Sequence, residues 1–347
     1  MSIVTIAEKA GVGIGTVSRY INDRSKVSDD AARKIAMAIE EIGYHPRVRR
    51  PGPKTKGRAG IRTGVVLFLT LGDLEPEKML HMPAFPILMT GIQKALMAHG
   101  LSPMFANYVT NDNLPEMLDE KYCDGVIILS FKLKEQPEKL LKKLQSIPTV
   151  WCFREHCDYN NEFDHVFYNN AAVGTIAARY MHEHKHRVAA YMSSSSLHEA
   201  FRQRQEVFVQ HCERFGIKID SFCSNLPENA PIGEHAALLA SRFIDSRSQA
   251  SGIFFCSDDA MLGVYNELRA KGFPLDDIDM LGCNNEEQFL GHIRPRPATI
   301  DIRLSEMGEQ AVFRLLSRIN GVENNPAMEL LINPQLIPGD RQPARRT

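Results

Sequence analysis

The sequence predicts a small three-helix module at the amino terminus, followed by two α/β lobes. Three observations carry this. Helical apolar stripes interrupted by a glycine turn occupy the first 42 residues. From residue 63 onward, continuous apolar runs alternate with helical patterns, as expected of parallel sheets covered on both faces. The alternation fills about 280 residues, too many for one such sheet, so it divides into two lobes.

Each element has a local reason. Ile3, Ile6, Ala7 and Ala10 fall at the i, i+3, i+4, i+7 spacing of a helix with one buried stripe. Gly11-Val12-Gly13 breaks the pattern, as a helix-turn-helix corner requires. In the next helix Val17 and Ile21 share one face, while Gly15, Thr16, Arg19 and Asn22 share the other. One side packs, and the other is polar, with an arginine able to reach a guanine edge. Ala32, Ile35, Ala36, Ile39 and Ile42 form a third stripe that completes a small core. The strand-like runs are 63–69, 125–129, 149–153, 187–192, 252–256 and 280–282. Helical periodicity is clearest in Ile87–His99, Thr175–Glu183 and Asp259–Lys271. No internal repeat is visible in the sequence.

Between module and lobes lies RVRRPGPKTKGRAGIR, residues 47–62, with seven Lys/Arg, no acid, two prolines and three glycines. Pro51 and Pro53 forbid a regular helix through its middle. The expected organisation is therefore a headpiece at 1–46, a basic linker at 47–62 and a two-lobed body at 63–340. Charge follows the same division. Residues 1–62 hold thirteen Lys/Arg against six Asp/Glu, and the remainder twenty-eight against thirty-six. A basic end on an acidic body is the pattern expected when one end meets polyphosphate.

No basic-then-apolar leader opens the chain, and no run of 18 apolar residues occurs, so neither a secretory signal nor a membrane span is expected. The seven cysteines are scattered, none in C-x-x-C, and read as buried reduced thiols. A cytoplasmic, nucleoid-associated protein is the expectation.

The segments AGVGIGTVSRYIN and VSDDAARKIAMAIEEIGYHP resemble the headpiece of the LacI-type (lactose repressor/galactose repressor) family of bacterial helix-turn-helix transcription regulators. The A-G-V, T-V-S-R, N, V-S and G-Y-x-P elements come in family order and spacing. The body resembles the same family in MPAFPILMTGIQKAL, NNAAVGTIAARYMHEHKHRVAAYM, SDDAMLGVYNELRAKG and RPATI followed by MGEQAVFRLL. The resemblance implies a periplasmic-binding-protein-like (type I) core, two lobes hinged by crossing strands, with an effector held between them. One segment departs from the family. Its hinge helix carries a leucine wedge, whereas here Pro46 leads into an Arg/Pro/Gly stretch without leucine. Such a stretch fits an extended strand reading a narrow A·T-rich minor groove.

The family's docking implies that Ile14, Gly15 and Arg19 face bases. Thr16, Ser18, Asn22 and Tyr44 would position the DNA backbone, and Arg47, Arg49 and Arg50 would follow in the linker. Effector candidates sit just after apolar runs, where open α/β sheets bind ligands. They are Asp73, Arg204, Asp258 and Asn284, with Phe85 or Tyr168 available to stack on a sugar or purine. By motif, Arg204 matches the family's effector-binding arginine and Asp258 the acid of its N-D pair. Ser257 stands where that motif has asparagine, Asn284-Asn285 where the family usually has Asp-Asp or Asp-Asn, and Ile302 where several members have a polar contact.

Other motifs point elsewhere and are weaker. HEHKH at 182–186 fits H-E-x-x-H, a zinc-protease pattern. However, His186 aligns with a family G-H before a strand, and no third ligand follows. G-V-G-I-G follows a helix, not a strand, so it is not a dinucleotide loop. The serine run 193–196 lacks a nucleophile elbow. No catalytic residue, cofactor or metal is expected. The reading is a DNA-binding regulator, a repressor, that acts as a homodimer on a pseudo-palindromic double-stranded operator under a sugar-like effector. Its competitors are a soluble ligand sensor or carrier that needs no operator, and an enzyme.

Overall fold

The computed structural model describes residues 3–22, 24–42, 60–71, 83–108, 113–130, 138–153, 162–195, 198–227, 230–321 and 326–340; the side chains of Ile3, Asn22 and Ser25 lie outside the description. The chain separates into two compact units, Met1–Lys54 and Thr55–Thr347.

The first unit contains α1 (Ile3–Ala10), α2 (Ile14–Asn22), a short 3-10 turn at Arg24–Lys26 and α3 (Asp29–Ile42). Ile6, Ala7, Ala10, Val17, Ile35 and Ala38 form its core, with Ile21, Ile39 and Ile42 packed around them. Apart from Ile3, whose side chain is not described, the stripes read from sequence are those that pack, except that Ala38 rather than Ala36 is fully buried.

The second unit holds two six-stranded sheets. The first uses β1 (Val65–Leu71), β2 (Ser102–Tyr108), β3 (Gly125–Ser130), β4 (Thr149–Cys152), β5 (Asp164–Tyr168) and β11 (Glu329–Ile332), in the order β11-β5-β4-β3-β1-β2. The second uses β6 (Val188–Ser193), β7 (Lys218–Cys223), β8 (Gly252–Phe255), β9 (Asp279–Cys283), β10 (Ala298–Asp301) and β12 (Gln335–Ile337), in the order β12-β10-β9-β8-β6-β7. All pairings are parallel except β10 with β12. The two orders are the same, so the lobes repeat one topology that shows no trace as a sequence repeat.

Both faces of each sheet are covered, which is why the strands read as continuous apolar runs. On β1, Val66 and Phe68 enter one core cluster while Leu67, Leu69 and Leu71 enter another. On β6, Ala189 and Tyr191 divide from Ala190 and Met192 in the same way. The helices are α4 (Ala84–Ala98), α5 (Glu138–Gln145), α6 (Asn170–Glu183), α7 (Glu199–Arg214), α8 (Ile232–Asp245), α9 (Asp258–Ala270), α10 (Glu287–Leu290) and α11 (Leu304–Ile319). Among the described residues none is long and apolar enough to cross a membrane.

The chain passes between the sheets three times: after β5 through α6, after β10 through α11, and from β11 to β12. These passages lie side by side. The amide of Asn169 donates to the Ile332 carbonyl at 3.0 Å, and its side-chain Nδ2 donates to Asn333 Oδ1 at 3.1 Å. Two lobes joined by adjacent crossing strands leave a cleft at the carboxyl ends of the strands, where open α/β sheets bind ligands.

Candidate functional site

Two sites were predicted, one in each unit. In the first, Gly11 adopts φ +62°, a left-handed conformation that glycine takes without penalty, and turns the chain out of α1. Gly13 then opens α2 through its carbonyl, which accepts from the amides of Thr16 at 2.8 Å and Val17 at 3.2 Å. Val17 is fully buried, whereas Ile14, Gly15 and Arg19 are exposed and Thr16 and Ser18 half-buried. The polar face therefore sits outward on the module. A methyl group at Gly15 would lie 3.8 Å from Arg19 Nη2, so the guanidinium rests beside bare backbone. The predictions for Tyr44, Arg47, Arg49 and Arg50, and for a minor-groove strand in the linker, fall outside the described residues, as does the side chain of Asn22.

The second site centres on Arg204, in the second turn of α7. This guanidinium is fully buried. Its Nε donates to Asn170 Oδ1 at 2.9 Å, and its Nη1 donates to the Cys256 carbonyl and, at 3.4 Å, to Asn284 Oδ1. Its Cζ lies 5.5 Å from the Tyr168 ring centroid and 5.6 Å from that of Phe201, within range of cation–π attraction. Tyr168 ends a strand of the first sheet, while Cys256 and Asn284 follow strands of the second. One arginine thus gathers groups from both lobes. Gly174 on α6 allows the approach, because a methyl there would come within 2.7 Å of the Arg204 carbonyl oxygen.

The structure brings Arg204, Tyr168 and Asn284 together and places two other candidates in different surroundings. Asp258 was expected to contact the effector. It is fully buried, its Oδ1 accepts from Thr299 Oγ1 at 2.8 Å, and its Oδ2 accepts from the Glu286 amide at 2.8 Å. Its carboxyl is spent on fixing the loop after β9, and burial pushes it up to about 7. It positions the loop that carries Asn284 (φ 108°) and Asn285 (φ 61°). Phe85 was expected to stack on a ligand. Its ring is instead packed into the main core, alongside Leu88 and Ile92. Ile302 is likewise buried in that core, and Asp73 lies outside the described residues.

Four residues of the site were missed. Asn170 lies at the start of a family-like segment but was not singled out, Phe201 has no motif of its own, and Phe153, 6.1 Å from the Tyr168 ring, adopts φ 59°. Glu286 is the fourth. It is buried, with Oε2 lacking any hydrogen-bond partner and Oε1 3.5 Å from Asn284 Nδ2. Burial, then the charges of Asp259 and Asp258, push its carboxyl up to about 9. An acid directly after the Asn284-Asn285 pair was the available signal.

The histidine cluster separates in space. Helix α6 ends at Glu183, so His182 and His186 do not share a helical face. His182 stacks on Phe215, while His186 pairs with Ser251 Oγ at 2.8 Å and Asp279 Oδ2 at 3.2 Å.

A helix-turn-helix module and a two-lobed body with a polar cleft define a class, that of the ligand-responsive DNA-binding regulators. The comparisons point the same way. Residues 2–47 match the model of bacterial regulatory proteins of the lacI family, and residues 178–340 match a periplasmic binding protein-like domain. The chain is 24% identical over 345 residues to the HTH-type transcriptional repressor PurR of Mannheimia succiniciproducens, covering 97% of each protein. It is 25% identical over 329 residues to the HTH-type transcriptional regulator RegA of Clostridium saccharobutylicum, covering 93% of each. Among solved structures it resembles a transcriptional regulator CelR–cellobiose complex, with TM-score 0.65, 21% identity and coverage of 98% and 99%. The lac repressor dimer bound to operator and the anti-inducer ONPF gives TM-score 0.63, 16% identity and 98% coverage of each chain. The chain is thus similar to lacI-family regulatory proteins in its amino-terminal module and to a periplasmic binding protein-like domain over residues 178–340.

Proposed function

We propose that this protein is a sequence-specific DNA-binding transcriptional regulator, a repressor, which binds a pseudo-palindromic operator as a homodimer and answers to a sugar-like effector held between its lobes. Its headpiece is residues 1–46, its linker 47–62 and its effector-binding body 63–340, and it works in the cytoplasm on the nucleoid. The observation that carries the reading is the outward face of α2. There Arg19, Ile14 and Gly15 are exposed while Val17 on the opposite side is locked into the module's core.

In this reading α2 enters the major groove. Arg19 reads a base edge, Ile14 and Gly15 approach the bases, and Thr16, Ser18, Asn22 and Tyr44 position the duplex through its backbone. Arg47, Arg49 and Arg50 follow the adjacent groove and its phosphates. Control is a matter of linkage: an effector that binds one lobe arrangement more tightly shifts the dimer between operator-competent and incompetent states. Arg204, Tyr168 and Asn284 are the contacts proposed for it, Asp258 shaping their loop from behind; Asp73 and Phe85 are left as sequence expectations.

Filter binding of the full chain to genomic fragments over a salt series tests the DNA arm. A log–log slope of about −0.9 per neutralised phosphate is expected, and a flat slope would overturn operator binding. On the selected operator, Arg19→Ala is expected to cost about 1–3 kcal/mol and to relax preference at one base position.

A further inference from the structure

The buried charge of Arg204 lacks a counter-ion. The groups that touch its guanidinium are neutral: the Asn170 and Asn284 amide oxygens, the Cys256 carbonyl and the two aromatic rings. Among the described residues no carboxylate forms an ion pair with it, and its Nη2 has no hydrogen bond. The nearby thiols do not supply a negative charge, since burial pushes Cys283 up to about 12 and raises Cys256. Asp258 already gives both oxygens to Thr299 and the Glu286 amide. Glu286, facing Asp258 and Asp259 on α9, Asn284 on its own loop and Arg204 on α7, keeps its proton at neutral pH and retains an unpartnered oxygen.

A guanidinium stays protonated in a protein. Leaving it buried without an opposite charge is costly unless something else supplies that charge. Asn284 offers Arg204 an amide dipole in place of an anion. The guanidinium is offered neutral acceptors and, among the described residues, no carboxylate within hydrogen-bonding distance.

We propose that the effector carries an anionic group, a carboxylate or a phosphate, which pairs with Arg204 in the place a protein carboxylate would otherwise fill. This rests on the reading that the cleft binds a sugar-like effector, and narrows it to a sugar acid or a sugar phosphate. The neutral carboxyl of Glu286 is available as a further donor to such a group.

The test uses the full chain and a bacterial small-molecule extract, split by anion exchange into retained and flow-through pools and supplemented with gluconate and glucose 6-phosphate in one and glucose in the other. Thermal shift finds the active pool, and mass spectrometry of the denatured complex identifies the released molecule. The retained pool should stabilise the protein and the flow-through pool should not. Phosphatase treatment of the retained pool removes the effect if the anion is a phosphate and spares it if it is a carboxylate. Asn284→Asp, which keeps the shape of the side chain and brings a carboxylate to Arg204, should weaken the retained ligand at least tenfold and raise the melting temperature of the unliganded protein. A neutral ligand from the flow-through pool, or undiminished binding in Asn284→Asp, overturns the proposal while leaving the cleft as an effector site. Stabilisation by neither pool sinks both readings of the cleft.

Discussion

Asp164 and Arg204 are buried charges in opposite lobes, and the protein treats them in opposite ways. Asp164, on the first sheet, receives Nε of Arg314 at 2.8 Å and of Arg318 at 2.6 Å, both from α11, and the Met328 amide at 2.9 Å. It welds α11 and the entry to β11 onto β5. Arg204, on the second lobe, is held by neutral acceptors and aromatic faces alone. A compensated buried charge locks a structure, whereas one with no counter-ion among the described residues is open to an anion from outside, as proposed above. The first lies at the edge of the sheet away from the cleft, where β5 begins; the second lies at the carboxyl ends of the strands.

If that contrast is right, the largest effect comes from breaking the compensated site. Asp164→Ala leaves two partly buried arginines facing each other without their anion, and should cost about 3–5 kcal/mol in urea or thermal unfolding. A loss below 1 kcal/mol would mean that the arginines simply turn to solvent and that Asp164 is no clamp.

Titration of the same group gives the next effect. Burial alone would raise the Asp164 carboxyl, but the hydrogen bonds from Arg318 and Arg314 outweigh it and hold it at about 2, against 3.8 for a free aspartate. The folded state therefore binds this proton more weakly than the unfolded one. The stabilisation is fully present above pH 4 and is lost as pH falls through 2, a change of about 2 kcal/mol. An acid-unfolding limb between pH 4 and 2 that flattens in Asp164→Asn is the expected result.

Glu286 behaves in the opposite sense. Its carboxyl stands at about 9 in the folded protein against 4.5 when free, so it subtracts stability as pH rises from 4.5 to 9. Glu286→Gln removes that burden and should be more stable than the wild type by about 2 kcal/mol at pH 6, the gap widening towards pH 9. Parallel pH profiles for the two proteins would show that Glu286 is already ionised and paired.

These contrasts were unequally legible in the sequence. Runs such as 125–129 and 252–256 were visible because both faces of their strands are buried. β2 and β7 were not, since each is an outermost strand with alternating partial exposure. Arg204 could be identified by motif, but its lack of a counter-ion could not, because that depends on residues from several strand ends. Phe85 shows a related limit: an aromatic near a strand end reads equally as stacking platform or core, and its packing beside Leu88 and Ile92 is visible only in the fold. Asp258 was recognisable as important, yet its partners Thr299 and the Glu286 amide are 41 and 28 residues away, and spacing along the chain does not reveal such contacts.

The smallest expected change is the one that separates the two charges most sharply. Replacing a buried ionic group with an apolar side chain of similar volume is often neutral for stability when no partner charge is left behind. Arg204→Met meets that condition, since only Asn170, Asn284 and the Cys256 carbonyl lose a donor. The lost hydrogen bonds and the relieved desolvation act in opposite directions, so the melting free energy should move by less than about 1 kcal/mol. Effector-induced stabilisation should vanish in the same protein. A loss comparable to that of Asp164→Ala would instead make Arg204 a second structural clamp, tying the lobes through Asn170 and Asn284, and would remove the reason to look for an anion in the cleft.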